Sequence, residues 1–190
     1  SRVSRGLGDV YKRQVKSEII EKDGKKIGIL EVPSFYVGLS KDTDKLLAEL
    51  KTKNVDGVIV DLRNNGGGAL TEATALTGLF IKEGPVVQVR DSYGRIKVNA
   101  DTDGKVSYDG PLTVLINRYS ASASEIFAAA MQDYNRAIIL GENSFGKGTV
   151  QQHRSLNHIY DLFDKELGYV QYTIPVSYTH LRAHETHENR

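Results

Sequence analysis

The chain has 190 residues, 39% of them hydrophobic and 26% charged, with 25 basic against 24 acidic side chains. That length suits one well-buried domain rather than two large ones, and the balanced charge argues against nucleic acid or an acidic membrane surface as a partner. Cysteine is absent, which removes disulfides, thiolate metal sites and cysteine nucleophiles. No apolar run approaches the roughly 18–20 residues that a membrane-spanning helix needs.

Residues 1–14 show neither helical nor strand periodicity and read as a non-native leader; they are basic, with no apolar stretch behind them, and so are not a signal peptide. Short β-branched runs over 15–20 and 27–32 flank Lys22-Asp23-Gly24-Lys25 and predict a hairpin. Pro33 ends the second run, and Ser40 is the expected N-cap of an amphipathic helix to about Lys53, with Leu46, Leu47 and Leu50 turned to a sheet. GVIVDL (residues 57–62) is apolar on consecutive positions, as in a strand buried on both faces. It empties into Arg63-Asn64-Asn65-Gly66-Gly67-Gly68, followed by a helix over 71–81. A polar hairpin over 86–90 and 96–98 is expected at the periphery. LTVLIN (112–117) is the next buried strand, leading into a helix over 122–134; AIIL (137–140) and YVQYTI (169–174) are further strands. Residues 175–190 turn polar and carry three of the five histidines, and read as a non-native tail. The alternation predicts an α/β domain, residues 15–174, with a largely parallel central sheet whose strands carry the site at their carboxyl ends.

Three loops could carry chemistry. Ser122 with Glu125 matches the S-x-x-E capping box. A serine at a helix start also has its hydroxyl beside free backbone N–H groups, where an oxyanion is stabilised, with the amide of Ala123 as one donor. Gly66, Gly67 and Gly68 make a tight turn, or leave backbone N–H groups open to a phosphate or a developing oxyanion; Gly67 or Gly68 is then the second donor. Lys147, between Gly146 and Gly148, is either a solvated turn lysine or an enclosed general base. To be a base it must be neutral near pH 7, at a cost of roughly 4 kcal/mol. Gln151 could accept a hydrogen bond from its amine and orient it, or be an ordinary surface amide.

Other patterns compete. Residues 141–148 read G-x-x-x-x-G-K-G, a P-loop lacking the Ser or Thr that should follow the lysine. Ser144 and Lys147 form an S-x-x-K pair, which keeps Ser144 as an alternative nucleophile. Asn99, Asp101, Asp103 and Gly104 imitate the start of a Ca²⁺ loop, but Gly110 stands where a bidentate Glu is required, so a polar turn is expected. His180, His184 and His187 fall in the segment read as foreign, and no metal site or cofactor is expected.

Taken together, VPSFYVGL (32–39), DLRNNGGGALTEA (61–73), SASASEIFAAAMQDY (120–134) and FGKGTVQQHRSLN (145–157) resemble the carboxyl-terminal (tail-specific) processing proteases, above all their bacterial periplasmic branch. The resemblance runs over about 15–174. It implies a crotonase-like α/β core in which Ser122 is the nucleophile of a serine endopeptidase, Lys147 its base and Gln151 the lysine's partner. Ala123 with Gly67 and Gly68 would form the oxyanion hole. Glu125, Asp133 and Ser144 fall at positions that matter in the family, Ser144 where threonine is expected. The resemblance further implies substrates with apolar C-termini, a PDZ domain that this sequence lacks, an adaptor lipoprotein as possible partner, and a periplasmic, possibly inner-membrane-associated location. Without the PDZ domain the chain is expected to be a fragment that is inactive on its own.

Overall fold

A computed structural model describes residues 14–90, 93–156 and 168–178, with backbone alone for 150–155 and 169–178. Strands β1 (Lys16–Lys22) and β2 (Lys25–Glu31) form the expected hairpin. Asp23 and Gly24 turn it with φ of 51° and 74°, the pair of positive angles that matches the twist of the flanking strands. Helix α1 (Leu39–Thr52) follows, then β3 (Gly57–Asp61), α2 (Leu70–Gly78), β4 (Gly84–Arg90), β5 (Ile96–Asp101), β6 (Leu112–Ile116), α3 (Ala123–Asp133), β7 (Ile138–Gly141), β8 (Thr149–Ser155) and β9 (Tyr169–Tyr178).

The first sheet has the order β1-β2-β3-β6-β7, and every pair after the hairpin is parallel. The mixed α/β architecture with a mostly parallel central sheet is therefore as expected. Helices lie on one face: Gly28 has no side chain because the Leu50 methyls of α1 occupy the place of its Cβ, at 2.8 and 2.9 Å. On that face Leu30, Val58, Val60 and Val114 are buried in one core with Leu47, Leu76 and Phe127 from the helices.

Several elements differ from expectation. GVIVDL is not buried on both faces: Val58 and Val60 are in the core, whereas Ile59 between them is only half-buried, because the described helices sit on one side. The 84–101 hairpin is not peripheral. It belongs to a second, antiparallel sheet of order β5-β4-β9-β8, and both Val86 and Val87 are fully buried. A bulge between Pro85 and Val87 lets two consecutive residues point inward. Strand β8 runs through TVQQ, where the sequence suggests only a loop, and β9 extends to Tyr178.

Ser40 is not the N-cap of α1. The helix starts at Leu39 after Gly38, whose φ of 98° is left-handed, and no side chain of its own caps it. The cap comes from α2 instead: the largely buried Glu72 accepts the N–H of Gly38 on Oε1 at 2.7 Å and that of Ser40 on Oε2 at 2.9 Å. A carboxylate there satisfies orphan helix amides and sits at the positive end of the dipole. Glu72→Ala is expected to lower stability by about 1–2 kcal/mol, read as a lower urea midpoint with an unchanged slope; an unaltered midpoint would remove Glu72 as the cap.

Candidate active site

The loops after β3, β6 and β7 converge at the carboxyl ends of the parallel strands. The loop after β3 opens with a clip in which Asp61 Oδ2 accepts Arg63 Nη2 at 2.6 Å and Oδ1 accepts Nε at 2.9 Å. Burial works against the Asp61 charge, but the guanidinium and the Arg63 N–H together hold its carboxyl below the usual range. Asn64 and Asn117 then bond side chain to side chain at 2.9 Å, joining the loops after β3 and β6.

Asn65 is the hub of this junction and is fully buried. Its Nδ2 donates to the Val32 carbonyl at 2.7 Å, its Oδ1 accepts the Gly67 N–H at 2.8 Å, and its carbonyl accepts the Ala121 N–H at 3.0 Å and the Ser124 hydroxyl at 2.9 Å. Ser120, also fully buried, donates to the Leu62 carbonyl at 2.8 Å. Every polar group in this set is paired, so the set is rigid rather than costly.

The glycines are required by close approach. A Cβ on Gly67, where φ is 98°, would lie 2.8 Å from Ser122 Cβ and 3.0 Å from the Ala123 nitrogen; one on Gly68 would overlap the Phe35 carbonyl, since Phe35 and Gly68 form a parallel bridge. The glycine loop thus presses directly against Ser122. Of the amides expected to be oxyanion donors, those of Ala123, Gly67 and Gly68, that of Gly67 is bonded to Asn65. Among the described residues, the N–H groups of Gly68 and Ala123 have no protein acceptor.

Ser122 is the N-cap of α3 with φ 56° and ψ −113°, a conformation that costs a non-glycine residue about 1–3 kcal/mol. Ser122 and Glu125 form the reciprocal pair of a capping box, in which the carboxylate makes the close bond: the Ser122 N–H donates to Oε2 at 2.7 Å. The same carboxylate holds the third loop. Oε2 also accepts the Lys147 N–H at 2.9 Å, and Oε1 accepts the Ser144 hydroxyl and the Gly146 N–H, each at 2.7 Å. Four donors from two loops therefore meet on one side chain.

The structure brings Ser122, Ala123, Gly67, Gly68, Glu125, Ser144 and the backbone of Lys147 together. Among the described residues no hydrogen bond joins Lys147 Nζ to Ser122 Oγ. Lys147 instead lines a cavity of about 380 Å³ beside α3, with Glu125, Ala128 and Gln132. The Gln151 backbone lies in β8 opposite Thr173, and its side chain is outside the described residues. Asp133 ends α3, roughly 16 Å along the helix from Ser122, and is not part of this cluster. Sequence reasoning missed Asn65, Ser120 and Ser124 as positioning groups. The signal available was polar side chains directly flanking strand ends and glycines.

The competing patterns are also placed. Asn99 and Asp101 lie in β5, and Asp103 accepts the Lys105 N–H at 2.8 Å, giving a polar turn. The three histidines of the tail lie outside the described residues; among those described, no cluster of three metal-ligating side chains is positioned to hold an ion.

A family model, peptidase family S41, matches residues 26–187. The chain belongs to peptidase family S41. It is 64% identical over 155 residues to the tail-specific protease of Haemophilus influenzae, covering 82% of this chain and 22% of that protein. It is 35% identical over 144 residues to the chloroplastic carboxyl-terminal-processing peptidase 2 of Arabidopsis thaliana, covering 72% of this chain and 28% of the relative. Among solved structures, the photosystem II D1 C-terminal processing protease superposes with a TM-score of 0.72 at 27% identity, over 86% of this chain and 43% of that one. The chain thus spans between about a fifth and under half of the length of these S41 proteins.

Glu125→Gln leaves one carbonyl oxygen in place of two charged ones, so at least part of the four-donor set loses its acceptor. The N–H groups of Ser122, Gly146 and Lys147 are expected to exchange with solvent roughly tenfold faster or more, measured by hydrogen exchange. Unchanged exchange at all three would disprove the clamp.

Proposed function

We propose that residues 15–174 are the catalytic core of a serine endopeptidase acting through an acyl-enzyme on Ser122, with Lys147 as general base. The observation that carries this is the Glu125 carboxylate, whose Oε2 accepts the N–H groups of Ser122 and Lys147 together. That brings the candidate nucleophile and base loops to one point, beside the acceptor-free amides of Ala123 and Gly68. The strained φ of Ser122 supports a reactive rather than a merely capping role, since such conformations cluster at functional sites. The Ser144 hydroxyl is already donated to Glu125, which favours Ser122 over Ser144.

In this mechanism the Lys147 amine, neutral and turned from its cavity toward Ser122, takes the hydroxyl proton as Oγ attacks a peptide carbonyl. The oxyanion is held by the N–H groups of Ala123 and Gly68. Collapse breaks the C–N bond, and the departing amine takes the proton from the Lys147 ammonium. Water, deprotonated in turn by Lys147, then hydrolyses the ester and restores Ser122. Gln151 orients the lysine amine, and Glu125 and Ser144 hold the loop. No cofactor is needed. The proposal extends to polypeptide substrates with apolar C-terminal tails, an adaptor lipoprotein as partner and a periplasmic location, for which the likeness to a tail-specific protease is the support. No described helix is long and apolar enough to cross a membrane.

A nucleotide-binding module is disfavoured on a specific ground. The Gly146 and Lys147 amides that would cradle a phosphate already hold a carboxylate.

The test uses a hybrid in which residues 15–174 replace the matching segment of the Haemophilus influenzae relative. A serine-acylating probe is expected to label Ser122, found by peptide mass spectrometry. Ser122→Ala should lower peptide cleavage by roughly 10³-fold or more, whereas Ser144→Ala retains most of it. Labelling of Ser144, or cleavage that survives Ser122→Ala, would overturn the assignment.

A further inference from the structure

Helix α3 turns two unlike faces to the rest of the molecule. On one, Ile126, Phe127 and Met131 are buried in the core. On the next, Glu125, Ala128, Ala129 and Gln132 follow one another at i, i+3, i+4 and i+7, and all four line the cavity of about 380 Å³. The end of the central sheet forms the opposite wall. Ile139 pairs in register with the core residue Val114, and Ile116 lies two residues beyond Val114 in β6, so both point to the helix side. Two methyl groups therefore face two isoleucines across a gap, and both isoleucines are only half-buried.

One end of this cavity belongs to the candidate site. There it is lined by Ser144, Gly146 and Lys147, the residues that the Glu125 carboxylate holds. The same carboxylate accepts the Ser122 N–H at 2.7 Å, which puts this end within one side chain's reach of the proposed nucleophile. Gln132 marks the other end, roughly 10 Å further along the helix. Ligand sites are mostly apolar, with a few placed polar groups, and occupy roughly 300–1,000 Å³. At the lower bound of that range, this cavity has room for one large side chain but not for a folded surface.

We propose that the cavity is the subsite for a large apolar side chain of the substrate, leucine, methionine or phenylalanine, at a residue flanking the scissile bond. Ala128 and Ala129 set the size it accepts, and Gln132 its depth. The proposal rests on the Ser122 reading, since Ser122 fixes where the scissile bond lies. It concerns selection at the cut, separate from any selection of the C-terminal tail. An acidic side chain would enter past the Glu125 carboxylate and a basic one past Lys147, and either would lose water against the isoleucines, so hydrocarbon is the chemistry that fits. In the proposed mechanism Lys147 turns from the cavity toward Ser122, which leaves this space to the substrate.

The test uses the hybrid and peptides with one common C-terminal tail, varied among Ala, Leu, Phe and Glu at each of the two positions flanking the scissile bond. At one of these positions kcat/KM is expected to favour Leu or Phe over Ala by about tenfold or more. Ala129→Phe fills the cavity and should lower that ratio at least about fivefold. Gln132→Lys places a cation at the far end and should raise the Glu-to-Leu ratio by about fivefold or more. Gln132 is exposed, so its variant decides the matter alone if Ala129→Phe does not fold. The parent hybrid is also treated with the serine-acylating probe. Labelling at Ser122 combined with no preference in the parent, or with a ratio unmoved in either folded variant, overturns the subsite alone. Labelling at another residue overturns the nucleophile assignment and the subsite with it.

Discussion

One carboxylate organises the candidate site. Glu125 lies in the first turn of α3 and gathers the Ser122 N–H behind it with three donors from residues 144–147. Hydrogen bonds to a charged acceptor contribute about 1.5–3 kcal/mol each, more than a glycine-flanked loop could gain by packing. Phe145 adds a main-chain tie, its N–H donating to the Ser120 carbonyl at 3.0 Å. The loop after β7 is therefore fixed to the helix that bears Ser122 by polar contacts rather than by an apolar seam.

A second constraint acts from below. Asn65 stands in for a missing stretch of secondary structure: two bonds from its side chain and two to its main-chain carbonyl, at 2.7–3.0 Å, link the end of β2, the glycine loop and the turn before α3. With that hub in place the backbone of Gly67 comes so close to Ser122 that only a residue lacking a Cβ fits there. The site is thus mostly backbone. Its amides are aimed by buried polar side chains whose own hydrogen bonds are complete, the arrangement that electrostatic preorganisation requires.

Much of this was legible in the sequence where the signal is local. The Asp23-Gly24 turn, the consecutive apolar runs of β3 and β6, the glycine loop and the Ser122 helix start each follow from residues close together in the chain. What was not legible depends on distant pairing. Glu125 is recognisable as the partner of Ser122 three residues earlier, but nothing near it reveals the donors about twenty residues later. Glu72 caps a helix that begins over thirty residues before it, so Ser40 looked like the local candidate. Val86 and Val87 break strand alternation, and only the bulge in pairing with β5 explains why both are inside. The consecutive apolar run of β3 suggested burial on both faces, whereas Ile59 is only half-buried among the described residues.

The backbone angles of Ser122 carry a last consequence. A glycine there would adopt φ 56° with little penalty, so the substitution that deletes the proposed nucleophile would also relax the turn. Sturdiness and reactivity are set against each other at this position. Robustness alone would favour glycine at this position, so a serine in this posture trades stability for whatever its hydroxyl supplies.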